Sequence, residues 1–287
     1  MQVLELFSGV GGWRCALDGR GSVVAAYDIS PHANATYTLN HGDRPHAMEL
    51  ASVARARLLA HGADTWVLSP PCQPFCRMGK GGGLEDARSR GFLSVLELLE
   101  VAPPERLLLE NVAGFLESPA FDRLVASLDR SGLAWRSWTL CPTQFGIPNQ
   151  RPRVYVAAAR QGILDATPPA GAPGPLAPWL DPVEATELYL SEAILARHKP
   201  GLDLVRPGDH RTACFIGGYG QRYVGSGSFL VTDHGIRRFS VGEVARLLGY
   251  PEGFRFPESV PMQARYKLLG NGLSIPVAHW VAQRLPS

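Results

Sequence analysis

The chain has 287 residues, of which 45% are hydrophobic and 19% are charged. This is the composition of an ordinary soluble globular protein, long enough for one large domain or for a large and a small one. No apolar run approaches the roughly 20 residues that span a bilayer, and the first residues do not resemble a secretory signal. The five cysteines are odd in number and lack zinc-ligand spacing. We therefore expect a cytoplasmic protein without a metal site or a disulfide framework.

The net charge of +2 does not by itself indicate a nucleic-acid-binding protein. Arginine supplies 25 of the 28 basic residues, either because guanidinium groups grip phosphates and bases or because of codon bias. Residues 190–240 carry seven basic and four acidic side chains, the highest density of basic residues along the chain. If a polyanion binds a separate small lobe, this stretch is the first candidate.

The first half of the chain alternates predicted strands with predicted helices. The predicted strands are mainly apolar runs at residues 3–7, 23–27, 65–68, 106–109 and 154–158. Ser30 and Pro31 open a helix with an N-cap residue and an N1 proline. This alternation predicts an α/β fold whose parallel sheet is buried on both faces. Such a sheet carries its chemistry at the carboxyl ends of its strands, where Gly9, Asp28, Ser69 and Glu110 stand.

The second half begins with a stretch that favours no regular structure. Residues 165–182 contain six prolines and two glycines, which predicts a linker. Residues 183–240 are rich in Gly, Tyr, Phe and Arg and show few helical signals. From Ser240, an N-cap residue, the apolar spacing becomes helical again.

A glycine-rich turn, Ser8-Gly9-Val10-Gly11-Gly12, follows the first strand. Glycines at this point let the backbone approach a ligand closely, and Asp28 at the end of the next strand can accept hydrogen bonds from ribose hydroxyls. The spacing differs from the GxGxxG of pyrophosphate-binding turns, which favours an adenosine-bearing cofactor without phosphates. The alternative is a tight turn beside a surface aspartate.

Three further motifs carry candidate catalytic groups. Prolines on both sides hold Cys72 on a stiff turn just past a buried strand, as a thiolate nucleophile requires. Glu110 ends a buried strand, where desolvation favours its neutral form and suits it as an acid; the alternative is an exposed helix cap. Arg151 and Arg153 alternate at the start of a strand, so we expect both on one face, either orienting an anion or a carbonyl oxygen or serving as edge-strand charges.

In chain order, the motifs FxGxGG, PPCQPF, ENV, Arg-x-Arg and GN-x-L-S-I-P-V resemble those of the cytosine-5 methyltransferases of nucleic acids. The chain is most similar to the short tRNA subgroup, once classed with DNA methyltransferases. The subgroup resemblance lies in residues 69–75, 146–149, 214–215, 218–220 and 265–271. Ile216 and Gly272 depart from it, since the subgroup has Thr and Ser there.

This resemblance implies a Rossmann-like, S-adenosylmethionine-dependent methyltransferase fold with a small target-recognition lobe inserted before the C-terminal helices. The expected parts are a catalytic domain (1–164), a proline-rich linker (165–182), the target-recognition lobe (183–240) and a C-terminal segment (241–287) that returns to the catalytic domain.

The resemblance also implies residue roles. Cys72 adds to C6 of the cytosine, Glu110 hydrogen-bonds or protonates N3, and Arg153, helped by Arg151, holds the O2 side. The implied cofactor-binding residues are Phe7, Ser8, Gly9, Val10, Gly11, Gly12, Asp28, Ile29, Glu49, Asn271 and Leu273. The implied nucleic-acid-binding residues are Arg77, Lys80, Arg88, Arg90, Cys214, Phe215 and Tyr219.

The implied reaction moves a methyl group from S-adenosylmethionine to C5 of a cytosine in the anticodon loop of tRNA, leaving S-adenosylhomocysteine. DNA is the alternative substrate, because the fold and the catalytic residues are shared. The small size of the recognition lobe favours RNA, since little room remains to read several base pairs in a major groove. A non-catalytic nucleic-acid-binding module is disfavoured, because such a module would tend to lose Cys72 or Glu110.

Overall fold

The computed structural model describes residues 1–71, 89–182 and 185–286. The chain divides into two compact units. Unit 1 comprises Met1–Leu140, Pro152–Thr167 and Ala278–Ser287, and unit 2 comprises Cys141–Arg151 and Pro168–Val277. The boundaries of these units differ from those of the four parts expected from the sequence. The four expected parts describe functional regions of the chain, and they stay a prediction. In the described ranges, no helix combines the length and the apolar character needed to span a bilayer.

Unit 1 is built on a six-stranded sheet. Its strands are β1 (Gln2–Leu6), β2 (Ser22–Tyr27), β3 (Thr65–Leu68), β4 (Arg106–Val112), β5 (Ala134–Leu140) and β6 (Arg153–Ala159). They lie in the order β2-β1-β3-β4-β6-β5, with β2, β1, β3 and β4 mutually parallel. β6 runs antiparallel to both β4 and β5. The predicted α/β fold with a largely parallel sheet is confirmed, and β6 is its reversed strand.

The helices of unit 1 that precede β6 pack into an apolar core with the sheet. They are α1 (Gly12–Ala16), α2 (Pro31–His41), α3 (Arg55–Leu59), α4 (Arg90–Val101) and α5 (Pro119–Arg130). α2 begins as predicted, because the Ser30 hydroxyl accepts a hydrogen bond from Ala33 N and Pro31 occupies the first turn. Fully buried side chains of α4 and α5, such as Phe92 and Leu124, join those of the central strands in one cluster. Each such side chain contributes roughly 1.5–3 kcal/mol when buried, so this cluster fixes the strand ends that carry the site.

Unit 2 contains a small sheet and an aromatic core. Its strands are β7 (Asp203–Val205), β8 (Ser228–Thr232) and β9 (Gly235–Arg238), and its helices include α6 (Glu192–His198), α7 (Val241–Leu248) and α8 (Met262–Gly270). β7 is parallel to β8, and β9 is antiparallel to it. α7 begins at the predicted N-cap, where Ser240 and Glu243 form a reciprocal capping box. The core rings are Phe215, Tyr219, Phe229, Phe239 and Tyr266.

The end of the chain completes unit 1. α9 (Ile275–Ala282) ends in this unit, and Val281 and Leu285 are fully buried. His279 Nδ1 donates to the carbonyl oxygen of Ala16 in α1 at 2.8 Å. The C-terminal residues are therefore part of the structure that supports the first strands and helix.

Candidate active site

The backbone turns sharply where β1 ends. Phe7 has a φ of 56°, in the left-handed region that residues with a side chain rarely adopt, and Gly9 and Gly11 follow with φ values of 54° and 86°. Ser8 N donates to Tyr27 O at 3.0 Å and so ties this turn to the end of β2. Strained backbone of this kind persists only where the surroundings fix it, and it clusters at ligand-binding sites. The turn is therefore built like a binding element.

Asp28 follows β2 and anchors the turn. Its Oδ2 accepts a hydrogen bond from Gly9 N and its Oδ1 accepts one from Ser30 N, both at 2.8 Å. Burial raises the pKa of the Asp28 carboxyl above its ordinary value, although both hydrogen bonds oppose the shift. Each oxygen keeps a second lone pair, so the carboxylate can accept further hydrogen bonds from neighbouring hydroxyls. Ile29, beside it, exposes 66% of its surface and offers an apolar contact.

The remaining residues predicted to bind the cofactor fall in both units. Val10 and Gly12 are buried in unit 1, and Glu49 is exposed there, just before a short 3₁₀ turn. Asn271 is exposed and Leu273 is buried, both in unit 2. The structure thus places the turn, Asp28 and Ile29 together within unit 1.

Glu110 and Arg153 meet across the antiparallel pair of β4 and β6. Glu110 is the first residue of β4 past the segment paired with β3, and 5% of its surface is exposed. Glu110 lies opposite Tyr155, and Arg153 lies opposite Val112, so the two charged side chains are diagonal neighbours on one face. Arg153 Nε is 3.3 Å from Glu110 Oε1. The carboxyl at the strand mouth is buried, as predicted, and it is paired with a guanidinium.

Side chains from two other elements hold the end of β3. Trp13 Nε1 donates to Leu68 O at 3.3 Å and lies 3.1 Å from Ser69 Oγ, to which it also donates. Asn111 Nδ2 donates to Pro70 O at 3.1 Å. Neither Trp13 nor Asn111 was singled out as a site residue from the sequence, although Asn111 belongs to the ENV motif. They fix the chain just before the segment that contains Cys72.

Four predicted site residues, Cys72, Arg77, Lys80 and Arg88, lie outside the described residues. Arg90 is described and exposed, as the first residue of α4. Its position follows directly on the basic segment that was expected to bind nucleic acid.

Arg151 has a different environment from Arg153. β6 begins at Arg153, so the prediction that Arg151 alternates with it on one strand is wrong. Arg151 is buried in unit 2, where its guanidinium joins two segments of that unit. Its acceptors are Cys214 Sγ at 3.3 Å, Phe215 O at 3.0 Å, Gly270 O at 3.0 Å and Gly272 O.

Phe215 and Tyr219, predicted to contact nucleic acid, are instead core rings of unit 2. Both are almost fully buried. Tyr219 OH donates to Ser228 O at 2.7 Å and accepts from Phe239 N at 2.9 Å. Buried rings reach a nucleic acid only by leaving this core, so we assign them a structural role. Cys214 is partly exposed.

A buried carboxyl lies in β1, which the sequence predicts as a short apolar strand. Glu5 is fully buried, and its Oε2 accepts a hydrogen bond from Tyr37 OH at 2.9 Å. Burial raises the pKa of Glu5 to about 7, against the opposing effect of that hydrogen bond. Arg14 Nη1 donates to Tyr37 OH at 3.4 Å and pairs with Asp43. The signal was available in the sequence, since a single acidic residue interrupts an apolar strand next to the glycine turn.

Comparison with known proteins gives consistent matches over nearly the whole chain. The profile of the family described as C-5 cytosine-specific DNA methylase matches residues 1–179 and 206–287. The tRNA (cytosine(38)-C(5))-methyltransferase of Schizosaccharomyces pombe is 32% identical, covering 99% of this chain and 96% of its own. A DNA (cytosine-5)-methyltransferase of Dictyostelium discoideum is 27% identical, covering 96% and 92%. The crystal structure of S. pombe Dnmt2 methyltransferase superimposes with a TM-score of 0.89 at 31% identity, covering 99% and 98%.

Proposed function

The chain belongs to the C-5 cytosine-specific DNA methylase family, and we propose that it methylates C5 of a cytosine in the anticodon loop of tRNA, with S-adenosylmethionine as the methyl donor. The observation that carries the choice of RNA is the similarity, over 99% of the chain, to a relative named for tRNA methylation. DNA is the second candidate, because a relative at 27% identity is named for that substrate.

We assign S-adenosylmethionine to the turn after β1, whose residues fit it. A Cβ atom built at Gly9 would meet no described atom within 4 Å, so space is open beside the turn. Asp28 has acceptor capacity for ribose hydroxyls, and Ile29 offers an exposed apolar side chain. The other residues of unit 1 assigned to this ligand are Phe7, Ser8, Val10, Gly11, Gly12 and Glu49; the cofactor-binding role of Asn271 and Leu273 stays a prediction from the sequence. When bound, S-adenosylmethionine supplies the electrophilic methyl group.

Cys72 is the proposed nucleophile. Its thiolate forms a bond to C6 of the cytosine while Glu110 protonates or hydrogen-bonds N3, so the C5=C6 electron pair moves to give an enamine at C4 and C5. C5, now electron-rich, takes up the methyl group. A base then removes the C5 proton, the C5=C6 bond re-forms, and the Cys72 thiolate leaves. Covalent addition thus divides one difficult substitution into easier steps.

Arg153 and Arg151 are assigned different roles. We assign Arg153 to orient the Glu110 carboxyl, which it contacts at 3.3 Å, and to donate to the cytosine O2. Arg151 is assigned a positioning role within unit 2. Its guanidinium joins the segment around Cys214 to Gly270 and Gly272, which lie on either side of Asn271. Arg77, Lys80, Arg88, Arg90 and Cys214 are assigned to the nucleic acid.

Methyl transfer to total tRNA and to genomic DNA, measured side by side, tests this proposal. We expect incorporation into tRNA alone, and its loss in Cys72→Ala. Cys141→Ala is the matched control, since it removes another thiol and should leave the rate near that of the wild type. Incorporation into DNA alone would replace the RNA assignment, and an active Cys72→Ala would overturn the nucleophile.

A further inference from the structure

Three segments of unit 2 contain no acidic residue. They are residues 193–202, 210–232 and 259–277, and they carry Arg197, Lys199, Arg211, Arg222, Arg265 and Lys267. Two of the three lysines of the whole chain are among them. These segments can form one continuous positive region only if they lie together in the fold. Their contacts show that they lie together.

The contacts converge on a glycine-rich turn at residues 217–222. On one side the His198 imidazole stacks on the Tyr223 ring, with centroids 4.7 Å apart and planes 18° apart. This places Lys199, which follows His198, near Arg222, which precedes Tyr223. On the other side, a Cβ built at Gly218 would lie 3.1 Å from Arg222 Cδ, and one built at Gly217 would lie 3.5 Å from Lys267 Cγ.

The turn is held in place by Arg238. Its Nη1 donates to the carbonyl oxygens of Tyr219 and Arg222, and its Cζ lies 4.6 Å over the Tyr223 ring. Tyr223 therefore packs against both the Arg238 guanidinium and the His198 imidazole. The ring is thus engaged by contacts within unit 2, and the exposed cations beside it suit phosphates rather than base edges.

Three cations of this surface have no acidic partner among the described residues. Lys199, Arg222 and Lys267 are exposed, and no ion pair within the described residues includes them. By contrast, Arg211 pairs with Asp203 at 2.9 Å in the same unit. Exposed cations without nearby carboxylates attract a polyanion and release its counterions on binding.

We propose that this basic surface, formed by Lys199, Arg222 and Lys267, docks the phosphate backbone of the substrate RNA. The inference rests on the proposed function and adds to it a contact that positions the tRNA without reading its sequence. None of these three residues was assigned to nucleic-acid binding above.

Binding of total tRNA to the full-length triple variant Lys199→Gln/Arg222→Gln/Lys267→Gln tests the proposal. The dissociation constant, measured by fluorescence anisotropy from 50 to 300 mM salt, should rise by about tenfold or more at the low end. The slope of log affinity against log salt should become shallower by about 2 to 3, since each phosphate contact contributes about 0.7 to 0.9.

A matched control changes the same number of charges on unit 1. Arg55, Arg130 and Arg160 are exposed and paired with Glu97, Glu100 and Glu105. The variant Arg55→Gln/Arg130→Gln/Arg160→Gln lowers the formal net charge equally, so it reports the effect of overall charge alone. We expect its salt slope to match that of the wild type.

Measuring tRNA binding and methyl transfer separately distinguishes a failure of this inference from a failure of the proposed function. Equal weakening by both triple variants, or unaltered binding by the first, would overturn the surface even if the wild type methylates tRNA. Weakened tRNA binding by the first variant alone supports the proposed phosphate-docking surface. If the methyl group is then found only on DNA, the proposed function fails while the docking surface stands.

Discussion

Glu110 occupies the point where the pairing of β4 changes. Up to Leu109 the strand has a parallel neighbour, β3, on one side and an antiparallel neighbour, β6, on the other; beyond it only β6 remains. Glu110 is not paired with β3, while Arg153 holds its carboxyl from the β6 side. The sheet thus presents a buried acid next to the end of the strand that leads to Cys72.

Replacing Glu110 with Gln should remove the proton donor and keep the shape of the side chain. We expect the single-turnover rate of methyl transfer to fall by roughly 10²- to 10⁴-fold, the usual contribution of a positioned acid, with tRNA binding retained. Glu105→Gln is the control, because Glu105 is an exposed carboxylate of unit 1 paired with Arg160. Equal rates for the two variants would rule out the acid role.

Glu5 should make stability depend on pH. Its pKa is raised from the ordinary 4.5 to about 7, so the folded state binds this proton more tightly than the unfolded state does. The free energy of unfolding therefore falls as pH rises from 4.5 to about 7, and the loss is complete above that. Glu5→Gln should remove this loss and be more stable than the wild type by up to about 3 kcal/mol at pH 8, with no such gain at pH 4.

Urea unfolding of Glu5→Gln and the wild type at both pH values measures this difference. Glu49→Gln serves as the control, since Glu49 is an exposed carboxylate of the same unit. A stability difference between Glu5→Gln and the wild type that is the same at pH 4 and pH 8 would contradict the assignment of the shifted proton to Glu5.

At the scale of elements, helix starts differ in how firmly they are capped. Ser240 Oγ accepts from Glu243 N at 3.0 Å and donates to Asp181 Oδ2 at 2.5 Å, and Glu243 Oε2 accepts a hydrogen bond from Ser240 N at 2.7 Å. Ser191 caps α6 with one hydrogen bond, from Ile194 N at 3.4 Å, and is exposed. We expect Ser240→Ala to lower the free energy of unfolding by about 1–2 kcal/mol and Ser191→Ala by about half a kcal/mol. The urea unfolding midpoints of the two variants measure these losses of stability. Equal losses would show that the extra hydrogen bonds of Ser240 add no stability.

The sequence predicted the elements whose signals are local. The apolar runs of β1, β2, β3 and β6 and the caps at Ser30 and Ser240 were found within a residue or two. β5 was missed, because an edge strand of half-exposed residues has no continuous apolar run. β4 was predicted to stop at Leu109, because Glu110 and Asn111 are polar; they continue the strand through pairing with β6, which lies more than 40 residues later.

In the candidate site, too, the sequence predicted the features with local signals and missed those that depend on distant contacts. The glycine turn and Asp28 are close in sequence and carry recognisable residue types, so they could be placed. The partners of Trp13 and Arg151 lie at least 55 residues away in the sequence and include several backbone carbonyls. A residue type gives no sign of which distant carbonyl it will meet, so these positioning contacts emerge only from the fold.

At the scale of the whole molecule, neither unit is a continuous stretch of chain. The chain passes from unit 1 to unit 2 at residues 140–141, back at 151–152, out again at 167–168 and back at 277–278. Each unit is therefore closed by segments distant in sequence, a topology in which non-local contacts must form before either core is complete. Unit 1 in particular depends on the last ten residues.

Ending the chain at residue 277 should prevent stable folding of unit 1. The deletion removes Val281, Ala282 and Leu285, which are fully buried, and the acceptor of the hydrogen bond from Arg106 Nε to Pro286 O at 3.0 Å. We expect loss of a cooperative thermal transition by circular dichroism. The single change Leu285→Ala, at a cost of about 2–5 kcal/mol, should lower the transition temperature without abolishing it. Gln283→Ala, at a partly exposed position of the same segment, should leave the transition nearly unchanged. A truncated chain that unfolds cooperatively at the wild-type temperature would show that unit 1 closes without its C-terminal segment.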